Sequence, residues 1–352
     1  MKPPQISLTR VARFPGLRAL AWVRDELYAS RGYKLLRAKI QDPRQIAWQS
    51  VAEFRPGARR RVSVKNRFTA RLFRDGFHAL AVLPSREIIG AVPGSIVTAS
   101  AGRNEFRQTH LITRGTRPLH ITSVPDGSVY WGEYFDNPGR DEVHIYASSD
   151  RGLTWNVAYT FPNGAIRHVH NIVHDPWGKC LWILTGDYGD ECRILRAACD
   201  FSHVDVVMQG NQQARAVAAV VTEEGIYFSS DTPLESNHIY RLDRMGKLTQ
   251  LAAISSSSIY GSRLGDHVFF STMAEPSDVN RDRSVRLYGA DITNPQQWQP
   301  LLAWKKDFLP MGLFQYGNAF LPDGENGTRF LAVSTIAVKS EDQCLSLYDL
   351  PL

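Results

Sequence analysis

Short apolar runs alternate with polar turns along this chain, and one phrase of that alternation recurs. An aromatic or aliphatic stretch runs into small residues and stops at an acid. It reads Val129-Tyr130-Trp131-Gly132-Glu133, then Leu181-Trp182-Ile183-Leu184-Thr185-Gly186-Asp187, then Ile226-Tyr227-Phe228-Ser229-Ser230-Asp231, then Val268-Phe269-Phe270-Ser271-Thr272-Met273-Ala274-Glu275. The acids stand 54, 44 and 44 residues apart, the length of one four-stranded propeller blade. A weaker echo without the acid is Phe330-Leu331-Ala332-Val333-Ser334-Thr335. Ahead of each copy a polar start leads another strand, at Arg117, Arg167, Ala214, Ser258 and Gln315. The phasing assigns these to the innermost strand of each blade and the acids to the end of the next one. Aromatic-rich runs bounded by Gly and Pro favour strands over helices throughout.

The same phase divides the chain into units near 18–55, 68–112, 117–162, 166–210, 214–255, 258–307 and 312–350. The expectation is therefore an all-β fold, one β-propeller domain over residues 1–352 with seven blades, or six with an irregular N-terminal part. The last unit is one strand short. The strand-like Gln5-Ile6-Ser7-Leu8-Thr9-Arg10-Val11 would complete it and close the ring, which removes exposed sheet edges.

A third phrase, Ser148-Ser149-Asp150-Arg151-Gly152-Leu153-Thr154-Trp155, has the form S-x-D-x-G-x-T-W. In such a turn the Asp side chain bonds backbone amides, Gly takes a positive φ and Trp packs beneath. Degenerate relatives lie at Asp42 to Trp48, near Asp200, at Asp243 to Gly246 and at Asp291 to Trp298. On residues 148–155 the chain resembles the Asp-box, or BNR, repeat propellers of the sialidase-like fold. The order of Gly132-Glu133-Tyr134, Arg167-His168-Val169-His170, Thr185-Gly186-Asp187 and Ser229-Ser230-Asp231 is similar to that of uncharacterised bacterial Asp-box propellers, over roughly residues 115–320. The resemblance implies a fold and not an activity, with the Asp-box on the outer part of a blade. The chain departs from sialidases in lacking an F-R-I-P phrase and any evident set of three arginines for a carboxylate.

Equivalent blade positions converge on the axis, so Glu133, Asp187, Asp231 and Glu275 are expected at one mouth of the channel. Crowded like charges raise some carboxyl pKa values, and one protonated acid beside one carboxylate is what glycoside hydrolysis needs. The same cluster could hold Ca²⁺ through oxygen ligands. His168 and His170 are spaced i, i+2 and point to one side of a strand, where they could ligate a metal or move protons. Arg215 suits a sugar carboxylate, and Tyr260 suits stacking or proton transfer. Arg167, His120 and Tyr316, near the starts of inner strands, complete the candidate substrate contacts. Lyases of uronic acids use an Arg or His on the carboxylate and a His or Tyr on the α-proton, and some seven-bladed propellers that resemble this chain carry that chemistry. The expected function is thus a glycoside hydrolase or a polysaccharide or oligosaccharide lyase acting on an acidic glycan in the axial cavity. A non-catalytic glycan- or protein-binding propeller is the alternative. Arg71, Arg74 and His78 could join the same mouth from the basic side, with ion pairs or packing the plainer expectation, and the tryptophans at 131, 155, 182, 298 and 304 are expected between blades.

Charge sharpens the partner. The net charge is +6, yet residues 1–74 hold 18 Lys and Arg against 4 Asp and Glu, while the rest holds 23 against 31. A basic first fifth suits an acidic glycan, phosphate or headgroup, and a solvated charged face is the plainer outcome. No nucleic-acid recognition motif appears. No apolar stretch reaches a membrane span, and no leader-like segment opens the chain, so a cytoplasmic location is expected. Cys180, Cys192, Cys199 and Cys344 form no C-x-x-C pair, which argues against a zinc site of the usual spacing.

Overall fold

A computed structural model describes residues 6–351. Seven sheets follow one another around a common axis, five of them built from four consecutive antiparallel strands, so the fold is a seven-bladed β-propeller. The fourth blade shows the pattern. His168–Asp175 lies innermost, followed outward by Cys180–Gly186, Arg193–Ala197 and Val204–Gln209. The second strand of a blade is covered on both faces by the neighbouring blades. Every residue of Cys180–Gly186 and of Gly225–Ser230 is buried, which is why these runs read as unbroken apolar phrases rather than alternating ones. Trp22, Trp131, Trp182, Trp298 and Trp304 pack in clusters shared by neighbouring blades, whereas Trp177 is exposed. Trp131 stacks on Tyr146 with centroids 4.4 Å apart and meets Trp155 edge-on at 6.1 Å.

The N-terminal strand closes the ring. It spans Thr9–Pro15, not 5–11, and pairs antiparallel with Cys344–Asp349 as the outer strand of the last blade. Gln5 lies outside the described residues. Asp323–Asn326 from the last blade also pairs in parallel with Arg18–Arg24 and makes the first blade five-stranded.

The second blade begins at Ala79 rather than near 68. Between the first two blades the chain forms two short helices, Ala58–Ser63 and Arg67–Leu72. Their arginine-rich sequence lacks the alternation a strand needs, and the Asn66 side chain caps the second helix by accepting the amides of Phe68 and Thr69. Among the described residues no helix is long and apolar enough to cross a membrane.

The Ser148–Trp155 turn joins the third and fourth strands of its blade. Asp150 accepts the amides of Leu153 and Thr154 at 3.1 and 2.9 Å and the Thr154 hydroxyl at 2.6 Å. Gly152 has φ +81°, and a Cβ there would lie 2.6 Å from Ile89 of the neighbouring blade. The same outer turn recurs in shorter form, with Asp42, Asp200, Asp243 and Asp291 each accepting the amide two residues on. Replacing Asp150 by Ala orphans two amides at once. A loss of about 1–3 kcal/mol is expected in urea unfolding, with no change in ligand binding because the turn is remote from the axis.

Candidate functional site

The innermost strands start, and the second strands end, at the same end of the channel. There the structure holds a cavity of about 530 Å³ whose lining includes His170, Asp187, Arg215, Asp231, Tyr260, Glu275 and Tyr316. Three of the four in-phase acids therefore meet. Glu133 does not. It is buried beside the cavity's neighbouring turn, ion-paired with Arg114 (Nε to Oε1 3.0 Å) and accepting the His144 amide at 2.8 Å. Arg114 lies in an irregular loop, and blade periodicity carries no sign of that partner.

The strand that carries the two histidines divides its side chains as the i, i+2 spacing requires. His168 and His170 point one way. Arg167 points the other, its guanidinium 5.0 Å from the Tyr188 ring centre and 3.7 Å from Glu191, and it does not line the cavity. His120 is also set apart. Its Nδ1 lies 3.1 Å from Asp323 in a side recess shared with Arg18, His78 and Tyr260.

Register explains how Asp187 joins the histidines. His168 pairs with Gly186 across the hairpin, so the next residue emerges beside both rings. A Cβ on Gly186 would lie 2.6 Å from His170 Cε1, so a glycine is needed there for the ring to sit close. The His168 and His170 Nε2 atoms are 3.1 Å apart and lie 3.5 and 3.4 Å from the Asp187 oxygens. These three side chains form a cluster of potential metal ligands. Arg215 Nη2 lies 3.2 Å from Asp187 and 3.8 Å from Asp231. Burial opposes the Asp187 charge, but the two histidines hold its carboxyl well below the usual range.

Glu275 behaves oppositely. Burial first, and then the charge of Asp231, push its carboxyl up to about 7. Burial likewise raises the Tyr134 phenol, whose ring centre lies 4.3 Å from that of His168 and which also lines the cavity.

The facing wall is basic. Arg18, Arg31, Lys65, Arg67, Arg71 and Arg74, all from the first 74 residues, line it together with Arg117. Part of the charge excess in the first fifth of the chain is thus turned toward the cavity, while other cations of the segment, such as Arg24, Arg44 and Arg55, lie on the solvated surface. Arg71 and Arg67 are ion-paired, with Asp307 and Asp342. Arg18, Arg74 and Arg117 form no ion pair with a described carboxylate. The Arg18 guanidinium sits 3.8 Å from the Phe320 ring centre, donates to the His78 carbonyl at 3.1 Å and leaves Nε unpartnered. Burial and the charges of Arg18 and Arg74 pull Arg117 down to about 10, and burial with the same cations keeps His78 neutral. Three arginines do come together, then, contrary to the expectation from sequence. They sit in three separate segments, and the charge excess of residues 1–74 signals Arg18 and Arg74 but not Arg117.

No family model matches the chain, and no curated protein matches it. Many solved structures share the fold. The WD40 β-propeller domain of Doa1 is 11% identical with a TM-score of 0.57, over 98% of this chain and 97% of that one. YCF48 bound to D1 peptide is 10% identical with a TM-score of 0.55, over 100% and 97%. The GH74 enzyme of Niastella koreensis is 14% identical with a TM-score of 0.54, over 84% of this chain and 46% of that one. At such identities the likeness concerns the fold alone.

Proposed function

We propose that this propeller binds an acidic oligosaccharide in the axial cavity and cleaves it, with Glu275 as proton donor. The carrying observation is the cavity's two-sided charge. Guanidinium groups without carboxylate partners face Asp231, Asp187 and a Glu275 that keeps its proton near neutral pH. Arg18 and Arg117 are desolvated there; desolvated cations without partners are costly, and an anionic substrate relieves that cost. In hydrolysis Glu275 protonates the departing glycosidic oxygen, while the Asp231 carboxylate attacks the anomeric carbon or draws a proton from the attacking water. The GH74 enzyme among the structural neighbours is consistent with this use of the fold. The Asp-box reading of residues 148–155 fits the same picture, as a turn that shapes the blade and leaves the chemistry to the axis.

Elimination is the second reading, favoured by His170 and Arg215 sharing Asp187. Arg215 would neutralise a uronate carboxylate, His170 Nε2 would take the α-proton, and Glu275 would still protonate the leaving oxygen.

The test is turnover of uronate-containing and sulfated oligosaccharides beside neutral ones. Reducing ends without ultraviolet-absorbing product indicate hydrolysis, and an unsaturated uronate indicates elimination. The Arg74→Gln, Arg117→Gln double variant is expected to raise KM for acidic substrates about 10- to 100-fold, as loss of charged hydrogen bonds does. Equal use of neutral glycans, or no binding of any glycan, would remove the proposal; binding without cleavage would leave a glycan-binding propeller.

A further inference from the structure

We propose that His168, His170 and Asp187 bind one divalent transition-metal ion. The argument is geometric and stands apart from any substrate; an ion there would occupy His170 Nε2 and so exclude it as the base of an elimination. Each imidazole is oriented by its Nδ1, which donates to a backbone carbonyl: His168 to Phe135 at 3.1 Å, His170 to Ala216 at 2.8 Å. A carbonyl only accepts, so both Nδ1 atoms carry hydrogen, and each ring turns its Nε2 toward the other and toward Asp187. Those Nε2 atoms face each other across 3.1 Å, with Asp187 oxygens 3.4 and 3.5 Å away. Three potential ligand atoms thus converge on one point, where a single cation could be held by all of them.

The separations fit a metal ion. Bonds of about 2.1 Å place adjacent donors about 3.0 Å apart in an octahedron and about 3.4 Å apart in a tetrahedron. Histidine ligands whose second nitrogen is fixed by a carbonyl are the usual arrangement around such ions. Two imidazoles and one carboxylate suit Mn²⁺, Fe²⁺, Co²⁺, Ni²⁺ or Zn²⁺ rather than Ca²⁺ or Mg²⁺, which prefer all-oxygen shells. The oxygen-only site considered from the four in-phase acids is correspondingly disfavoured, since Asp187 faces histidines and Asp231 lies beside Arg215. Arg215 shares Oδ1 of Asp187 with His170, while Oδ2 faces His168. Tyr134 covers His168 from the other side. His170 and Asp187 line the cavity, so the remaining coordination positions open where an oxygen anion could enter.

The competing account is a proton shared by the two imidazoles in place of the metal. Calorimetry on chelator-treated full-length chain, titrated in turn with Mn²⁺, Co²⁺, Ni²⁺, Zn²⁺, Ca²⁺ and Mg²⁺ without any glycan, separates the two. One transition ion per chain is expected, with Ca²⁺ and Mg²⁺ far weaker. The His168→Gln, His170→Gln variant should bind at least about 100-fold less tightly. Should that variant fold poorly, Co²⁺ added to the unmutated chain should still shift the imidazole resonances of both histidines and give a ligand-field spectrum. Absence of saturable binding by all four transition ions, unchanged affinity in a folded double variant, or undisturbed imidazole signals would overturn the assignment in favour of the shared proton.

Discussion

Glu275→Gln should cost about 10²–10⁴ in kcat on the acidic substrate, the usual contribution of a general acid, with KM little changed. On the proposed hydrolysis the unmutated chain should lose activity as pH rises through about 7, because the protonated carboxyl is the working form and that is where it releases its proton. The same group links to stability with a definite sign. The folded chain holds a proton that the unfolded chain gives up at the ordinary glutamate pKa of 4.5, so stability falls as pH climbs from there to about 7. Glutamine has no such dependence. The variant should therefore be inactive and yet melt at a higher temperature than the parent above pH 7, a trade of stability for function seen at many sites. Initial rates across pH, with thermal melts on both sides of neutrality, check both halves. Activity within tenfold of the parent, or a flat pH profile up to alkaline conditions, would exclude Glu275 as the acid.

The blades were readable because each repeats one covering requirement. A second strand buried on both faces is apolar until the small residues near its end, such as Thr185, Ser229 and Ser230, and its end must turn, so Leu181–Asp187 and Ile226–Asp231 share a phrase. The His168/His170 pairing was readable for the same reason: strand geometry fixes side at two-residue spacing. What sequence concealed is whatever depends on partners from another segment. Glu133 occupies the same phrase as Asp187, but Arg114 takes it out of the cavity. The helices at 58–72 interrupt the blade period, so a count by period ran through them. Arg18, Arg74 and Arg117 carry no shared local pattern, and only the convergence of successive blades on the axis brings them to the same wall.

Arg71→Met should destabilise the fold by about 3–5 kcal/mol, the typical result of deleting one partner of a buried ion pair. Arg71 is among the largest fully buried side chains. Its Nη1 meets Asp307 at 2.5 Å and Asp342 at 3.3 Å, and its Nε and Nη2 donate to the Phe314 carbonyl at 3.1 and 2.5 Å. One side chain thereby ties the second short helix to the Met311–Phe314 helical turn and to loops flanking the last blade. Loss of the guanidinium strands two buried carboxylates, although Lys306 and Arg67 still reach them, which places the expected cost toward the lower end of that range. Lysine should not restore stability, because a single ammonium cannot reproduce a fork that serves three acceptors at once. Since Lys65, Arg67 and Arg74 line the cavity from the same insert, the variant should also weaken binding of acidic glycans while leaving the far wall's Glu275 chemistry in place. Urea unfolding of the parent, Arg71→Met and Arg71→Lys, paired with glycan binding by the folded fraction, measures both effects. A destabilisation below about 0.5 kcal/mol, the ordinary range for surface substitutions, would show that the insert is held by other contacts.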